Sequence, residues 1–487
     1  GDDYVVGFRI DEQHKLPSIE KPKIDPLEID PDRESNFMRE INGIPFEPFT
    51  PKFIVEGKDY VVKEISPGIK LIHVNNPLND LFTLEMRMKI GSRHQSMLPY
   101  AKRMLDRSGA GEISSKDLKI EWYKLGTDFA FAVRERMSSL MMTGLDENFE
   151  ASLTLSRDLI EKPNISNETW EETKNIIFSE RDDEQKDSRA ISNALAHFHR
   201  YSKRSRYLDR PSDDDLNASS VESLSSLLKS SLQSERTIIY SGPKSPDEVI
   251  ESISQGFIGD SAIIQPAEFS PLRSFNAEQN QIYFFEKEMA QAQVRLEFSV
   301  GMYNEEKVPA AQLFNEYFGG GMAGLVFQEL REARALAYSA WAHFFTPSHP
   351  DEENILVGSI GCQADKTIEA VSAFMDLLEK MPINQTRWDS AHSSILSSYR
   401  TNPIPYRGTG GFVYDVGTLG LANDPRKSRF ERTSKADITT LREFYDNSIR
   451  PQAKLLSIVG DSSKIDLNEL EKIGPVVQIE SEQLFKR

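Results

Sequence analysis

Phe82, Leu84, Met86, Met88 and Ile90 alternate with Thr83, Glu85, Arg87 and Lys89. A period of two puts the first set on one face of a strand and the second on the other, so the run predicts a strand with one buried and one wet face. Val294, Leu296, Phe298 and Val300 alternate with Arg295, Glu297 and Ser299 in the same way. FAFAV (129–133) and ILVGSIG (355–361) predict further strands. Between strands the period lengthens. Ile368, Val371, Phe374, Met375 and Leu378 recur at helical spacing, so that helix packs one face on a sheet. Clean alternation points to antiparallel pairing with one face open to water.

The pattern occurs twice. DLIEKPNISNETW ends at Trp170 and DLLEKMPINQTRW at Trp388, 218 residues later. ERTIIYSGPKS places Gly242 after an apolar strand, and AKLLSIVGDSS places Gly460 there, again 218 residues on. Landmarks that recur at one spacing in one order indicate an internal repeat. The expectation is therefore an α+β protein with two homologous domains, 54–266 and 267–487. Each should be a mainly antiparallel sheet with helices packed on one side. Residues 1–53 are rich in Pro, Lys and acids without a period and predict an extended arm or linker. Residues 203–225 predict a mobile loop, and RGTGGF (407–412) a close-approach turn.

Charge and composition narrow the classes. The net charge of −18 argues against nucleic-acid binding, which needs basic stripes. No run of 18 apolar residues occurs, so no transmembrane helix is predicted. GDDYVVGFRIDEQ lacks the zones of a signal peptide. A single cysteine, Cys362, excludes an internal disulfide framework and any Cys-based zinc site.

The segment FGGGMAGLVFQELREARALAYS (318–339) is the most particular one. Its glycines fit neither a phosphate loop nor a dinucleotide fingerprint. Gly319, Gly320 and Gly321 instead suit a sharp turn or close backbone approach. Leu325, Val326, Leu330 and Leu336 predict an amphipathic helix. Arg331 and Tyr338 lie seven apart, which on one continuous helix would give them a common face. A guanidinium fork and a phenol can together hold a peptide carbonyl or oxyanion. A surface arginine and a core tyrosine would give the same letters.

These residues resemble a motif of the insulinase/pitrilysin zinc metallopeptidases, the inverzincins. There a Phe-Gly-Gly-Gly-Met segment leads into a helix, and an Arg and a Tyr seven residues later project toward substrate held at the metal of the other half. Arg331 and Tyr338 match in identity and spacing. The duplicated domain is similar too, and the arm resembles the linker between halves of long bacterial members. The resemblance covers residues 54–487. It implies catalytic roles for Arg331 and Tyr338 and a substrate-binding role for Gly319, Gly320 and Gly321. It also implies a partner half carrying zinc, either upstream in the same polypeptide or as a separate subunit, a peptide substrate, and a location in a bacterial periplasm or cell envelope.

The family's H-x-x-E-H is missing. It should follow the first strand of the first repeat, where the chain reads GSRHQSMLPYAKRMLDRSGAG (91–111). That helix offers Tyr100, Lys102 and Arg103, and a Lys-Arg pair repels a dication. His94 is alone, and His197 and His199 are two apart, which on a helix points them away from a shared metal. Zinc is therefore expected in the partner half and not in this chain. The expected function is the non-zinc half of such a peptidase, closing the peptide chamber. The alternative is a non-catalytic structural subunit or peptide-binding scaffold of the same fold.

Overall fold

The computed structural model describes residues 5–7, 35–45, 47–257, 263–265, 268 and 270–486. The chain divides into two compact units, Gly1–Phe49 and Thr50–Arg487. Among the described residues of the first unit, Asn36–Asn42 is a helix, started by Ser35, whose hydroxyl accepts from the Met38 amide. Most of the segment expected as an extended arm lies outside the described residues.

The second unit holds two six-stranded mixed sheets. From edge to edge the first runs Val61–Ser66, Ile69–Asn75, Arg236–Gly242, Leu81–Met88, Ser138–Leu145 and Asp128–Val133. The second runs Val476–Gln478, Gln281–Glu286, Leu455–Gly460, Gln291–Met302, Glu353–Gln363 and Ser339–Phe345. The pairings at the Asp128–Val133 and Ser339–Phe345 ends are antiparallel, and a parallel pair, Ile69–Asn75 with Arg236–Gly242 or Leu455–Gly460 with Gln281–Glu286, lies toward the other end. The sheets are thus α+β layers of one design. The alternation read from the sequence fits: Leu81–Met88 alternates between half-buried and buried positions, with Phe82, Leu84, Met86 and Met88 wholly buried.

Each sheet packs its main helical layer on one face. In the second, Val371, Phe374 and Leu378 of Thr367–Glu379 join Leu296, Phe298 and Leu456 in the core. Among the described residues, the opposite face takes a helix that comes from the other half of the chain. Ser188–Tyr201, in the first repeat, lies on Leu455–Gly460, Gln291–Met302 and Gln281–Glu286 of the second sheet. Tyr406–Thr418, in the second repeat, lies on Ile69–Asn75 and Arg236–Gly242 of the first sheet. Ser188 and Tyr406, their first residues, are 218 apart, the repeat spacing.

Packing explains the sequences of both exchanged helices. RGTGGF forms a helix and not a turn. A Cβ on Gly410 would sit 2.4 Å from a methyl of Ile239, so the helix backbone must lie directly on the strand. Arg87, on the outer face of the first sheet, pairs with Asp415 at 2.8 Å and stacks over Tyr414. In the reciprocal contact, Glu297 is held between Arg200 of the lent helix (2.9 Å) and Arg295 of its own strand (2.6 Å). The Arg200 charge and then that of Arg295 keep its carboxyl below the usual range, overcoming burial. His199 is 2% exposed and stacks on Tyr283 at 3.8 Å.

The stretch expected as a loop at 203–225 is helical over Asp213–Asn217 and from Val221 onward. Asp213–Asn217 and Val221–Ser231 start at Ser212 and Ser220, each closing a capping box. The run of serines and acids that reads as a loop is a run of caps.

Burial pushes the His199 imidazole down to about 4, so it folds neutral. An unfolded histidine takes its proton near pH 6.5, so between pH 6.5 and about 4 the unfolded chain binds more protons. This stability is complete above pH 6.5 and is lost as pH falls, at about 1.4 kcal/mol per pH unit. Urea unfolding between pH 7 and 5 should show at least that slope, because His197, also kept neutral by burial, adds its own. His199→Phe should make it shallower by about that amount, and an unchanged slope would count against His199 as its source.

Candidate functional site

The glycine-rich segment sits beside the edge strand of the second sheet. Phe314 and Phe318 stack at 5.0 Å in the core, where both are buried. The Tyr317 hydroxyl donates to Pro382 O at 2.7 Å and accepts from the Asn384 amide. These contacts pin the start of the segment. A Cβ on Gly319 would lie 1.8 Å from the carbonyl oxygen of Ala342 in strand Ser339–Phe345, so only glycine lets the backbones meet. Gly320 is pressed on the Glu316 carbonyl, and Gly321 takes φ +63°. Arg387 Nη1 donates to Ala323 O at 2.6 Å and holds the turn. Packing thus accounts for Gly319 and Gly320, and turn geometry for Gly321.

The helix after the glycines is short. Leu325–Phe327 passes into a wider-wound turn, Gln328–Ala333, with Leu325, Val326 and Leu330 in the core. The chain then leaves the helix. Ala335 adopts φ +50°, and the Leu336 amide donates to Leu330 O at 3.0 Å. An L-residue there costs about 1 kcal/mol. The helix therefore does not reach Tyr338, and a common helical face for Arg331 and Tyr338 does not form. Instead, the Tyr338 amide donates to Gly361 O at 2.9 Å, and the residue leads into strand Ser339–Phe345.

Both side chains face solvent. The Arg331 guanidinium lies over the Phe327 ring at 4.7 Å and reaches Glu332 only at 3.5 Å. Tyr338 is 80% exposed, and its hydroxyl has no partner among the described residues. Strand alternation puts Tyr338 on the same side as Ala340, Ala342 and Phe344, the side of the helical layer, but past its end. On the other side of the strand Trp341 and Phe345 are half exposed.

The helix where the family motif would hold metal is Leu98–Leu105. Tyr100 accepts a hydrogen bond from Arg181 Nη2 at 2.7 Å, and Arg181, 3% exposed, also donates to Asp213 and to Pro211 O (2.8 Å). Arg103 pairs with Glu180 and Lys102 with Asp106. His94 Nδ1 accepts from the Gly91 amide at 2.9 Å, closing a turn. Guanidinium and ammonium groups stand where a dication needs carboxylates and imidazoles, so the residues do not fit zinc. Among the described residues, no three His, Cys, Asp or Glu side chains converge in a way that would hold a metal. Cys362 is buried, its thiol pushed up by burial, and touches Thr367 rather than a base. Sequence reasoning missed Arg181. Its only one-dimensional trace is an arginine on the same helical side as the buried Thr173 and Ile177.

Residues 222–393 match the family described as the peptidase M16 inactive domain. An uncharacterized zinc protease of Rickettsia felis is 22% identical over 309 residues, 60% of this chain and 71% of that protein. The peptidase M16 inactive domain from Pseudomonas fluorescens has the same fold (TM-score 0.68, 15% identity), over 82% of this chain and 98% of that one. So does the periplasmic protease PqqL from Escherichia coli (TM-score 0.65, 15% identity), over 90% of this chain but only 49% of PqqL. Residues 222–393 thus carry the match to the M16 inactive domain, and the chain has the fold of that domain. It spans about half the length of PqqL. Among the described residues no helix is long and apolar enough to cross a membrane.

Replacing Arg181 strands the Asp213 carboxylate and the Tyr100 hydroxyl. Arg181→Met should lower the unfolding free energy by about 3 kcal/mol and Tyr100→Phe by about 1 kcal/mol. Urea titration of both variants measures this. A neutral Arg181→Met would show that the network does not hold the two helices.

Proposed function

We propose that this chain is the non-zinc half of an M16 peptidase. It closes a peptide chamber against a half bearing H-x-x-E-H and supplies Arg331 and Tyr338 to the substrate. The observation that carries this reading is the exposure of Tyr338 with an unpartnered hydroxyl at the rim of the sheet edge. A tyrosine held for stability buries its ring and finds its hydroxyl a partner. This one is held out by a turn that spends about 1 kcal/mol at Ala335. The glycines bring that turn down on the edge strand, and Gly319, Gly320 and Gly321 would also let peptide backbone approach.

The metal chemistry belongs to the other half. PqqL is a protease about twice as long as its part that resembles this chain, which supports a second half in the same polypeptide or in a partner subunit. Substrate would lie as an added strand on the sheet edge of the zinc half. Arg331 would hold a carbonyl near the scissile bond through its donor fork. The Tyr338 hydroxyl would donate to the oxygen that gains charge in the transition state. Such a donor acts more on the transition state than on the bound substrate, so its loss appears in kcat.

Two measurements test the reading. The chain alone should hydrolyse no peptide and hold no stoichiometric zinc after dialysis; one tightly bound zinc per chain by metal analysis would overturn it. In the pair reconstituted with an H-x-x-E-H half, Tyr338→Phe should lower kcat by about 100-fold with little change in assembly. Equal turnover would remove Tyr338 from the mechanism.

A further inference from the structure

A cavity of about 270 Å³ lies where the two halves meet, away from Arg331 and Tyr338. One wall is the end of the lent helix Ser188–Tyr201, another the segment around Arg93, and the floor includes Phe345 and Ile355. Its position follows from the fold. The loop joining Asp128–Val133 to Ser138–Leu145 and the loop joining Ser339–Phe345 to Glu353–Gln363 are repeat equivalents. Arg136 of the first clasps Asp351 and Glu352 of the second at 2.7 and 3.0 Å.

Hydrogen-bond donors without acceptors gather here. His197 Nδ1 accepts from the Arg206 amide, so the proton of the neutral ring sits on Nε2, which has no partner among the described residues. Burial, then the charges of Arg206 and Arg200, push this imidazole down to about 3 and keep it neutral. The Tyr201 hydroxyl accepts from Arg200 Nη2, which leaves its own proton to donate. Arg200 Nε and Arg93 Nη2 are buried and unpaired, and the Arg93 side chain is only 10% exposed. Two of these donors, Arg200 Nε and Arg93 Nη2, are buried with no acceptor, which is unusual, and with His197 Nε2 and the Tyr201 hydroxyl beside the same cavity they point to an acceptor-only group. A carboxylate is such a group and offers about four lone-pair sites.

The remaining charges define the rest of the ligand. Glu135 has one long contact, to Arg93 Nε at 3.4 Å, and Glu353 accepts from the Ser274 amide. Both lie close enough to Tyr201 to raise its pKa, behind the larger effect of burial. Three arginines and three glutamates line the cavity, so it carries no net charge to favour a bare anion. We infer that the cavity binds a zwitterion, a free amino acid or dipeptide, with its carboxylate on the His197, Tyr201, Arg200 and Arg93 donors and its ammonium toward Glu135 and Glu353. A volume of about 270 Å³ suits a ligand of that size.

The test is calorimetric titration of the 487-residue chain with L-alanine, dialanine, N-acetyl-dialanine and dialanine amide. At least one of the two zwitterions should bind, and blocking either end should weaken binding by 10-fold or more (about 10-fold per lost charged contact). His197→Phe and Tyr201→Phe, checked for folding by circular dichroism, should each weaken it by about 5–10-fold. No binding of either zwitterion at about 10 mM, or equal binding of the blocked forms, overturns the inference, and the parent protein alone decides this. Because no zinc half is needed, failure here is separate from failure of the peptidase reading.

Discussion

Everything in the larger unit depends on the reciprocal cover of two sheets by two helices. The strands of the parallel pairs carry apolar residues on both faces. Ile239 and Val74 on the first sheet, and Val459 and Tyr283 on the second, point away from the main helical layers. Each of these outer faces is covered by the helix that the other repeat provides. Left bare, such patches would expose apolar surface at about 25 cal/mol per Å². Neither repeat can therefore be completed without the other. The charged pins, Arg87 with Asp415 and Glu297 with Arg200, sit at the margins of these contacts and fix their register.

That arrangement decides what stays open. The lent helices cover the parallel ends of the sheets and stop short of the antiparallel edges. Met141 and Leu145 near one edge, and Trp341 and Phe345 at the other, are left half exposed. The Arg331–Tyr338 turn hangs from the second of these edges. The cavity with its unpaired donors lies where the two edge loops clasp. Both proposed sites are thus products of the same pseudo-symmetry.

The first repeat shows how this fold ties its helices together without a metal at Leu98–Leu105. Arg181 is buried between helices and satisfied by a carboxylate, a phenol and a main-chain carbonyl. A guanidinium is a fixed cation with directed donors, so it can tie helices together without any exchangeable ligand. It cannot activate water, which is why the chemistry proposed for this chain is confined to donors.

Much of this was legible along the chain. The alternation at Phe82–Ile90 and Val294–Val300 and the 218-residue spacing determined the strands, the duplicated α+β plan and the family resemblance, because side-chain period follows directly from local backbone geometry. The same letters misled where one residue type serves two structures. Serines and acids at 203–225 cap helices as readily as they fill loops, and Gly410 and Gly411 sit in a helix because a strand of the other repeat presses on it. Arg331 and Tyr338 could be singled out by sequence, but their geometry could not, since the left-handed Ala335 that separates them is an alanine with no local reason to turn. The exchange of helices, Arg181 in place of metal ligands, and the gathering of His197, Tyr201, Arg200 and Arg93 were decided only by tertiary structure. They join residues tens to hundreds of positions apart, and whether a polar group is paired depends on the space around it, which sequence order does not encode.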